Sequence, residues 1–155
     1  MMKGLFDCGP RDSLASLGLL LLRVMTGLML AIGHGWPKAA GFAMLKDEWF
    51  VPAHLAFLSP PVSLVLTIAA ELVAALLLVF GMATRPAAAV LVFTMAVAAF
   101  GVHGSAPWFT GPGVEVAKEP ALLYLIPCLV LLVTGGGGKS IDALISKPKR
   151  RSKYA

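Results

Sequence analysis

The sequence predicts an all-α membrane protein, a four-transmembrane-helix bundle with a short interfacial helix in the first external loop. The 155-residue chain is 58% hydrophobic and 14% charged, whereas an average soluble domain is about 45–50% apolar and about 25% charged. Four apolar segments also have about the length that crosses a bilayer. Each segment must satisfy its own backbone hydrogen bonds in lipid, and a single segment does this as a helix.

The four predicted spans differ in the charge they carry. They cover about residues 14–34, 60–80, 86–103 and 120–138 of one domain, 1–155. Arg23 is the only formal charge in the first span and Glu71 the only one in the second, and the other two have none. The short stretch from Gly81 to Arg85 predicts a tight turn, which makes the second and third helices antiparallel neighbours.

The connecting segments are predicted to contain two further short helices. Phe42, Leu45 and Trp49 fall at i, i+3 and i+7 of the first external loop. This spacing predicts a short helix that lies in the membrane interface. After the last span, Ser140 is placed to cap a second short helix whose apolar side chains, from Ile141 onward, rest on the membrane.

The basic residues predict a membrane surface as a partner, and not nucleic acid. Thirteen Lys and Arg against eight Asp and Glu give a net charge of +5. Five of them crowd the tail 146–155: Lys147, Lys149, Arg150, Arg151 and Lys153. An anionic leaflet attracts such a tail. Lys and Arg are also more numerous on the side of both termini than on the opposite side, which predicts cytoplasmic termini in a multi-pass protein.

Two charged residues lie near the middle of the predicted bilayer. Arg23 in the first span and Glu71 in the second have similar depth, so an ion pair between their helices is expected to satisfy both charges. Such a pair has two interpretations. It either fixes helix packing alone, or it forms part of a polar pocket that binds a ligand and handles protons.

A second layer of polar residues is expected near the external face. Its members are His34, Lys38, His103 and Glu119. We expect these residues to surround a pocket whose floor is formed by Arg23 and Glu71. In this hypothesis Glu71 and His103 relay protons, and the ligand-binding residues are Arg23, His34, Lys38 and Glu119.

The sequence offers little for a metal or a resident redox group. No HxxxH or HExxH spacing supports a zinc, copper or iron site from His34, His54 and His103, so no metal is predicted. Cys8 and Cys128 form no CxxC motif. No haem, flavin or iron–sulfur motif is visible, so the residues by themselves leave the cofactor unknown.

The order of several short motifs resembles the DoxX family over nearly the whole chain. Arg23 comes first. The later motifs are GHGWPK from Gly33, ELVAALLLVFGMATRPAA from Glu71, His103, KEPALLYL from Lys118, and GGGKSID ending at Asp142. The resemblance implies a small four-helix protein of the bacterial cytoplasmic (inner) membrane. It also implies that the family's polar residues fall on Arg23, Lys38, Glu71, His103, Glu119 and Asp142.

Three functions follow from these observations. Some family members resemble the membrane subunit of thiosulfate:quinone oxidoreductase, which implies a redox-associated subunit that binds quinone or another amphipathic small molecule. If such a subunit is an enzyme, it is part of a membrane oxidoreductase. The alternatives are a non-catalytic membrane adaptor or assembly factor and a small-solute transporter. A redox protein or a second copy of the chain is the expected protein partner.

Overall fold

In a computed structural model, the structure describes residues 12–146, and all regular structure in that range is helical. The helices are α1 (Ser13–Ala40), α2 (Phe42–Leu45), α3 (Pro60–Phe80), α4 (Thr84–Val102), α5 (Glu119–Thr134) and α6 (Ile141–Ile145). A 3-10 turn covers Ala53–Leu55. The basic tail from Lys147 onward and Cys8 lie outside the described residues.

Three of these helices are long and apolar enough to cross a membrane, and they confirm the prediction of an all-α chain with several membrane-spanning helices. They are α1 with 28 residues, α3 with 21 and α4 with 19. The apolar α5 has 16 residues, which at about 1.5 Å per residue is shorter than the hydrocarbon core of about 30 Å. A fourth crossing therefore stays a prediction.

The observed bounds differ from the predicted ones at three places. The helix α1 continues to Ala40, so Lys38 belongs to the helix and not to the loop. The helix α2 ends at Leu45, so the predicted turn that would bring Trp49 onto its face is absent. The helix α5 ends at Thr134, because Gly135 has φ of 77° and leaves the helical region. Hydropathy alone misplaced this end, since four glycines extend the apolar run.

Small residues let α1 and α3 approach each other closely. A Cβ atom added at Gly27 would lie 2.6 Å from the backbone oxygen of Ala75. A Cβ added at Gly35 would lie 2.7 Å from the backbone carbonyl of Glu71. Such close backbone contact is typical of helix pairs in membranes. The remaining contacts of the bundle join α1 to α5, α3 to α4, and α4 to α5.

A tight turn joins α3 to α4, as predicted. Gly81 and Ala83 both adopt positive φ, 66° and 49°. The Asp142 carboxylate accepts hydrogen bonds of 2.8 Å from the backbone N–H groups of Ala83 and Thr84, which are the first donors of α4. Asp142 in turn donates its own backbone N–H to the oxygen of Gly81 at 2.9 Å. The turn is therefore held by the helix that follows α5.

That helix, α6, begins where the sequence predicts. The Ser140 hydroxyl accepts a hydrogen bond of 3.1 Å from the backbone N–H of Ala143, which confirms the predicted cap. Leu144 and Ile145 are exposed. Their contact with a membrane surface stays a prediction.

We predict that Gly35→Ala destabilises the protein by about 1–3 kcal/mol, because its new methyl group would overlap the Glu71 backbone and force α1 and α3 apart. Gly33→Ala is the matched control, since a Cβ there meets nothing within 4 Å. We expect it to be neutral or stabilising by up to about 1 kcal/mol. Thermal unfolding in detergent measures both. Equal midpoints for the two variants would contradict the close approach.

We predict that Asp142→Ala destabilises the protein by about 3 kcal/mol, because it removes a charged acceptor from the buried backbone N–H of Thr84 and the half-buried one of Ala83. Asp47→Ala is the control, since Asp47 lies exposed in the first connection. The same unfolding measurement applies. An Asp142→Ala midpoint within error of the control would show that the turn holds without its carboxylate.

Candidate functional site

The buried carboxylate of Glu71 pairs with Lys38. The Nζ atom of Lys38 donates a hydrogen bond to Oε2 of Glu71. The Glu71 side chain is 6% exposed and the Lys38 side chain 21%. A buried carboxylate requires such a partner, since desolvation alone would strongly disfavour its charged form. The ammonium group of Lys38 therefore balances the charge of Glu71. Lys38 lies fifteen residues after Arg23 in α1.

The predicted ion pair between Arg23 and Glu71 is wrong. The Arg23 guanidinium instead donates to the backbone oxygen of Leu78 at 2.9 Å, to that of Val79, and to that of Lys139 at 2.6 Å. Two of these oxygens belong to the last turn of α3, where the carbonyls lack the N–H partners of a continuing helix. The Leu78 oxygen also accepts from the backbone N–H of Gly81 at 3.0 Å. Arg23 thus caps α3 and ties it to the segment that follows α5.

The direction of the side chains explains this difference. A side chain in a helix leans toward the N-terminus of its own helix. The helices α1 and α3 are antiparallel, so Arg23 leans toward the end of the bundle that holds Ser13 and α6, which we call the terminal end. Glu71 leans toward the opposite end, the loop end, and Lys38 leans back down to meet it. The register of the two helices also separates the charges, because the Glu71 backbone lies against Gly35 and not against Arg23. These two levels of α1 are about 18 Å apart at 1.5 Å per residue.

The ion pair lies at the edge of a cavity of about 710 Å³. Lys38, Glu71 and His103 all line this cavity, and a role for them in binding or catalysis stays a prediction. Its walls are the loop-end halves of α3 and α4, and the connection after α2 covers it. Four aromatic residues line it as well: Trp49, Phe50, Phe57 and Phe93.

The pocket is largely apolar, and its polar groups are concentrated around Glu71. The Nζ atom of Lys38 lies 5.7 Å from the centroid of the Trp49 ring, a distance at which a cation interacts with an aromatic face. Thr67, one turn nearer the loop end than Glu71, also lines the pocket, and its hydroxyl donates to the backbone oxygen of Ser63 at 2.9 Å. A ligand with a polar head and an apolar body fits such a lining.

His34 and Glu119 lie in a different place from the other predicted site residues. They line a groove of about 600 Å³ between α1 and α5. The His34 ring packs edge-to-face against Tyr124, with 5.2 Å between centroids. Arg23 lines neither this groove nor the pocket of Glu71. The single pocket predicted from the sequence is therefore divided into two cavities and a separate structural contact.

Three π-helical turns, which hydropathy patterns do not reveal, interrupt the long helices near the loop end. They cover Ala31–Gly35 in α1, Ala69–Ala74 in α3 and Val97–Val102 in α4. The first contains His34, the second contains Glu71, and His103 follows the third. Short π-helical turns are often found at functional sites. His34 and Lys38 are four residues apart, yet they line different cavities.

The described residues contain no group of three or more His, Cys, Asp or Glu side chains that could hold a metal ion. Cys128 is buried in α5 with a free thiol. The described residues therefore offer acid–base groups for chemistry. These are Glu71, His103 and Lys38, which line one largely apolar pocket.

Comparisons with known proteins agree with the helical architecture. The family model described as DoxX matches residues 18–104. A protein of Haemophilus influenzae, described only as uncharacterized, is 26% identical over 148 residues, covering 91% of each chain. No solved structure matches the chain.

We predict an asymmetry between the two halves of the Lys38–Glu71 pair. Lys38→Met leaves a buried carboxylate unpaired and should cost about 3–5 kcal/mol. Glu71→Leu should cost less, because the long Lys38 side chain can extend to water at the loop end. The double variant should regain most of the loss of Lys38→Met. Thermal unfolding in detergent tests this order, with Lys46→Met in the first connection as the control. A double variant as unstable as Lys38→Met alone would contradict the pairing.

Proposed function

Because the chain belongs to the DoxX family of membrane proteins, we propose that it is a redox-associated subunit of the bacterial cytoplasmic membrane. In this proposal it binds a quinone, or a similar amphipathic small molecule, in the cavity lined by Lys38, Glu71 and His103. The observation that carries the proposal is the buried ion pair at the edge of an otherwise apolar pocket.

The lining suits the two parts of a quinone. The carbonyl oxygens of the head group need hydrogen-bond donors, which the Lys38 ammonium and the His103 imidazole supply. The isoprenoid tail needs an apolar channel, which the side chains of α3 and α4 supply on the lipid side: Leu66, Val90, Phe93 and Val97 line it. A few placed polar groups in an apolar cavity are the usual composition of a small-molecule site.

Reduction of a quinone to a quinol consumes two electrons and two protons. We propose that Glu71 and His103 exchange these protons with water near the loop end, since both are ionisable groups that line the pocket. The electrons come from a protein partner that carries a redox centre. The role of this chain is then to hold the quinone head beside groups that give and take protons.

The topology that accompanies this function has four crossings and both termini in the cytoplasm. Lys and Arg are more numerous at the terminal end, as the positive-inside rule requires. The short α5 crosses if the bilayer thins locally around it or its flanks extend the crossing. The helix α2, with Met44 and Leu45 exposed, lies in the interface on the external side.

We predict that wild-type protein purified in mild detergent retains quinone, and that Glu71→Gln lowers its affinity for an added short-tailed quinone by about tenfold. The substitution removes the charge that holds Lys38 in the pocket, and tenfold corresponds to the loss of about one charged hydrogen bond. Mass spectrometry of extracted small molecules and a binding titration measure the two effects. Glu115→Gln, in the exposed loop before α5, is the matched control.

A second variant separates the ligand from the ion pair. Ala98→Phe places a ring in the pocket without changing a charge, so it should exclude quinone while Lys38 and Glu71 stay paired. Full retention of quinone by both Glu71→Gln and Ala98→Phe would refute the proposed site. Wild-type preparations that are folded, hold only bulk lipid and bind no added quinone would favour the adaptor or transporter alternatives.

A further inference from the structure

The groove between α1 and α5 is a second cavity that the quinone pocket does not use. No residue lines both cavities. One wall comes from α1, where Leu21, Met25 and Met29 are exposed toward the groove, and the other from α5, where Leu123 is exposed. These apolar side chains lie on the outer surface of helices that are long or apolar enough to be in lipid. The groove is therefore open to the acyl chains of the bilayer.

The loop end of this groove is polar and carries a negative charge. The Glu119 Oε2 atom accepts hydrogen bonds from the backbone N–H of Thr110 at 2.8 Å and from its hydroxyl at 2.5 Å. These bonds stabilise the ionised carboxylate. The other oxygen, Oε1, has no hydrogen bond within the part of the chain that the structure describes. A fixed carboxylate with a free oxygen is thus available to a donor in the groove.

Further polar groups follow along the groove. The half-buried imidazole of His34 lines it beside Glu119, and the Tyr124 side chain lies against that imidazole. Deeper in the groove, Thr26 is 7% exposed. Its hydroxyl has no hydrogen-bond partner among residues 12–146, unlike the hydroxyls of Thr67 and Thr94, which bond to backbone oxygens four residues earlier. A hydroxyl that lines the groove without a protein partner is available to a polar group of a ligand.

We propose that this groove binds one phospholipid with a primary ammonium headgroup, of the phosphatidylethanolamine type, from the leaflet at the loop end. The ammonium donates to Oε1 of Glu119, and the imidazole of His34 donates to the phosphate. The acyl chains lie along the exposed Leu21, Met25, Met29 and Leu123. Thr26 is the donor for an ester carbonyl of the lipid.

Charge complementarity favours this headgroup over others. No Lys or Arg lines the groove, so an anionic headgroup would meet a carboxylate without a compensating cation. A trimethylated ammonium carries the positive charge but has no N–H to donate to Glu119. A primary ammonium has both the positive charge and the N–H groups. Hydrogen bonds between charged groups are about twice as strong as those between neutral groups.

Native mass spectrometry of the delipidated full-length protein tests the proposal with three lipids of identical acyl chains. We expect phosphatidylethanolamine to bind about tenfold more tightly than phosphatidylcholine or phosphatidylglycerol, which is the loss expected for one charge-assisted hydrogen bond. Glu119→Gln should reduce phosphatidylethanolamine binding to the level of phosphatidylcholine. Glu115→Gln, which does not line the groove, should leave the preference unchanged.

Leu123→Trp provides a test that does not depend on the charge, because a larger ring fills the groove from its lipid side. It should abolish retention of all three lipids at this site while quinone binding stays unchanged. This outcome distinguishes the lipid groove from the proposed quinone pocket at Glu71. Equal binding of the three lipids by the wild type would overturn the proposal. An undiminished preference for phosphatidylethanolamine in Glu119→Gln would also overturn it. So would a protein dimer that Leu123→Trp dissociates, because a second copy of the chain would then occupy the groove.

Discussion

The capping of α3 by a buried guanidinium is the contact on which the rest of the bundle depends. Arg23 is 2% exposed, and a charge so deeply buried is tolerable only when hydrogen bonds compensate for the lost hydration. Both terminal nitrogens of the guanidinium are bonded, while Nε has no partner among the described residues. The guanidinium finds acceptors in the final carbonyls of α3 and in Lys139, while the carboxylate of Asp142 contributes favourable electrostatics nearby. One side chain thereby fixes α1, α3 and the C-terminal segment together. With the terminal end fixed, the glycine contacts between α1 and α3 set the register that brings Lys38 to Glu71.

The sequence predicted the apolar architecture better than the polar contacts, for a physical reason. Hydropathy depends on composition over a long window, so α3 was found at its observed bounds, Pro60–Phe80. The partner of Glu71 depends on the register of α1 against α3, which places Glu71 beside Gly35 and not beside Arg23. A depth counted within each helix separately does not contain that register. Asp142 illustrates the same point. The family resemblance indicated the residue, but only the fold shows that it caps a helix more than fifty residues earlier in the chain.

The division of the polar residues between two cavities follows from the packing order of the helices. The groove of Glu119 needs α5 beside α1, and the pocket of Glu71 needs α4 beside α3. The spacing of residues within one helix does not specify which other helices pack against it. Both cavities nevertheless share a design: an acidic side chain near the loop end, with an apolar channel leading toward the lipid. The protein thus offers two separate places where an amphipathic molecule could be held by its head.

The π turn in α1 has a consequence for how this chain tolerates change. A π turn contains one residue more than the α turn it replaces, so Ala31–Gly35 acts as a one-residue insertion between two regular stretches. Each residue rotates an α-helix by about 100°, a value that follows from 3.6 residues per turn. Because the π turn absorbs its extra residue within one turn, deleting a residue there would leave the Lys38 ammonium directed toward Glu71, whereas a deletion in the regular α-helix before it would turn Lys38 away by about 100°. The π turn is thus the place where α1 tolerates a change in length without losing the ion pair.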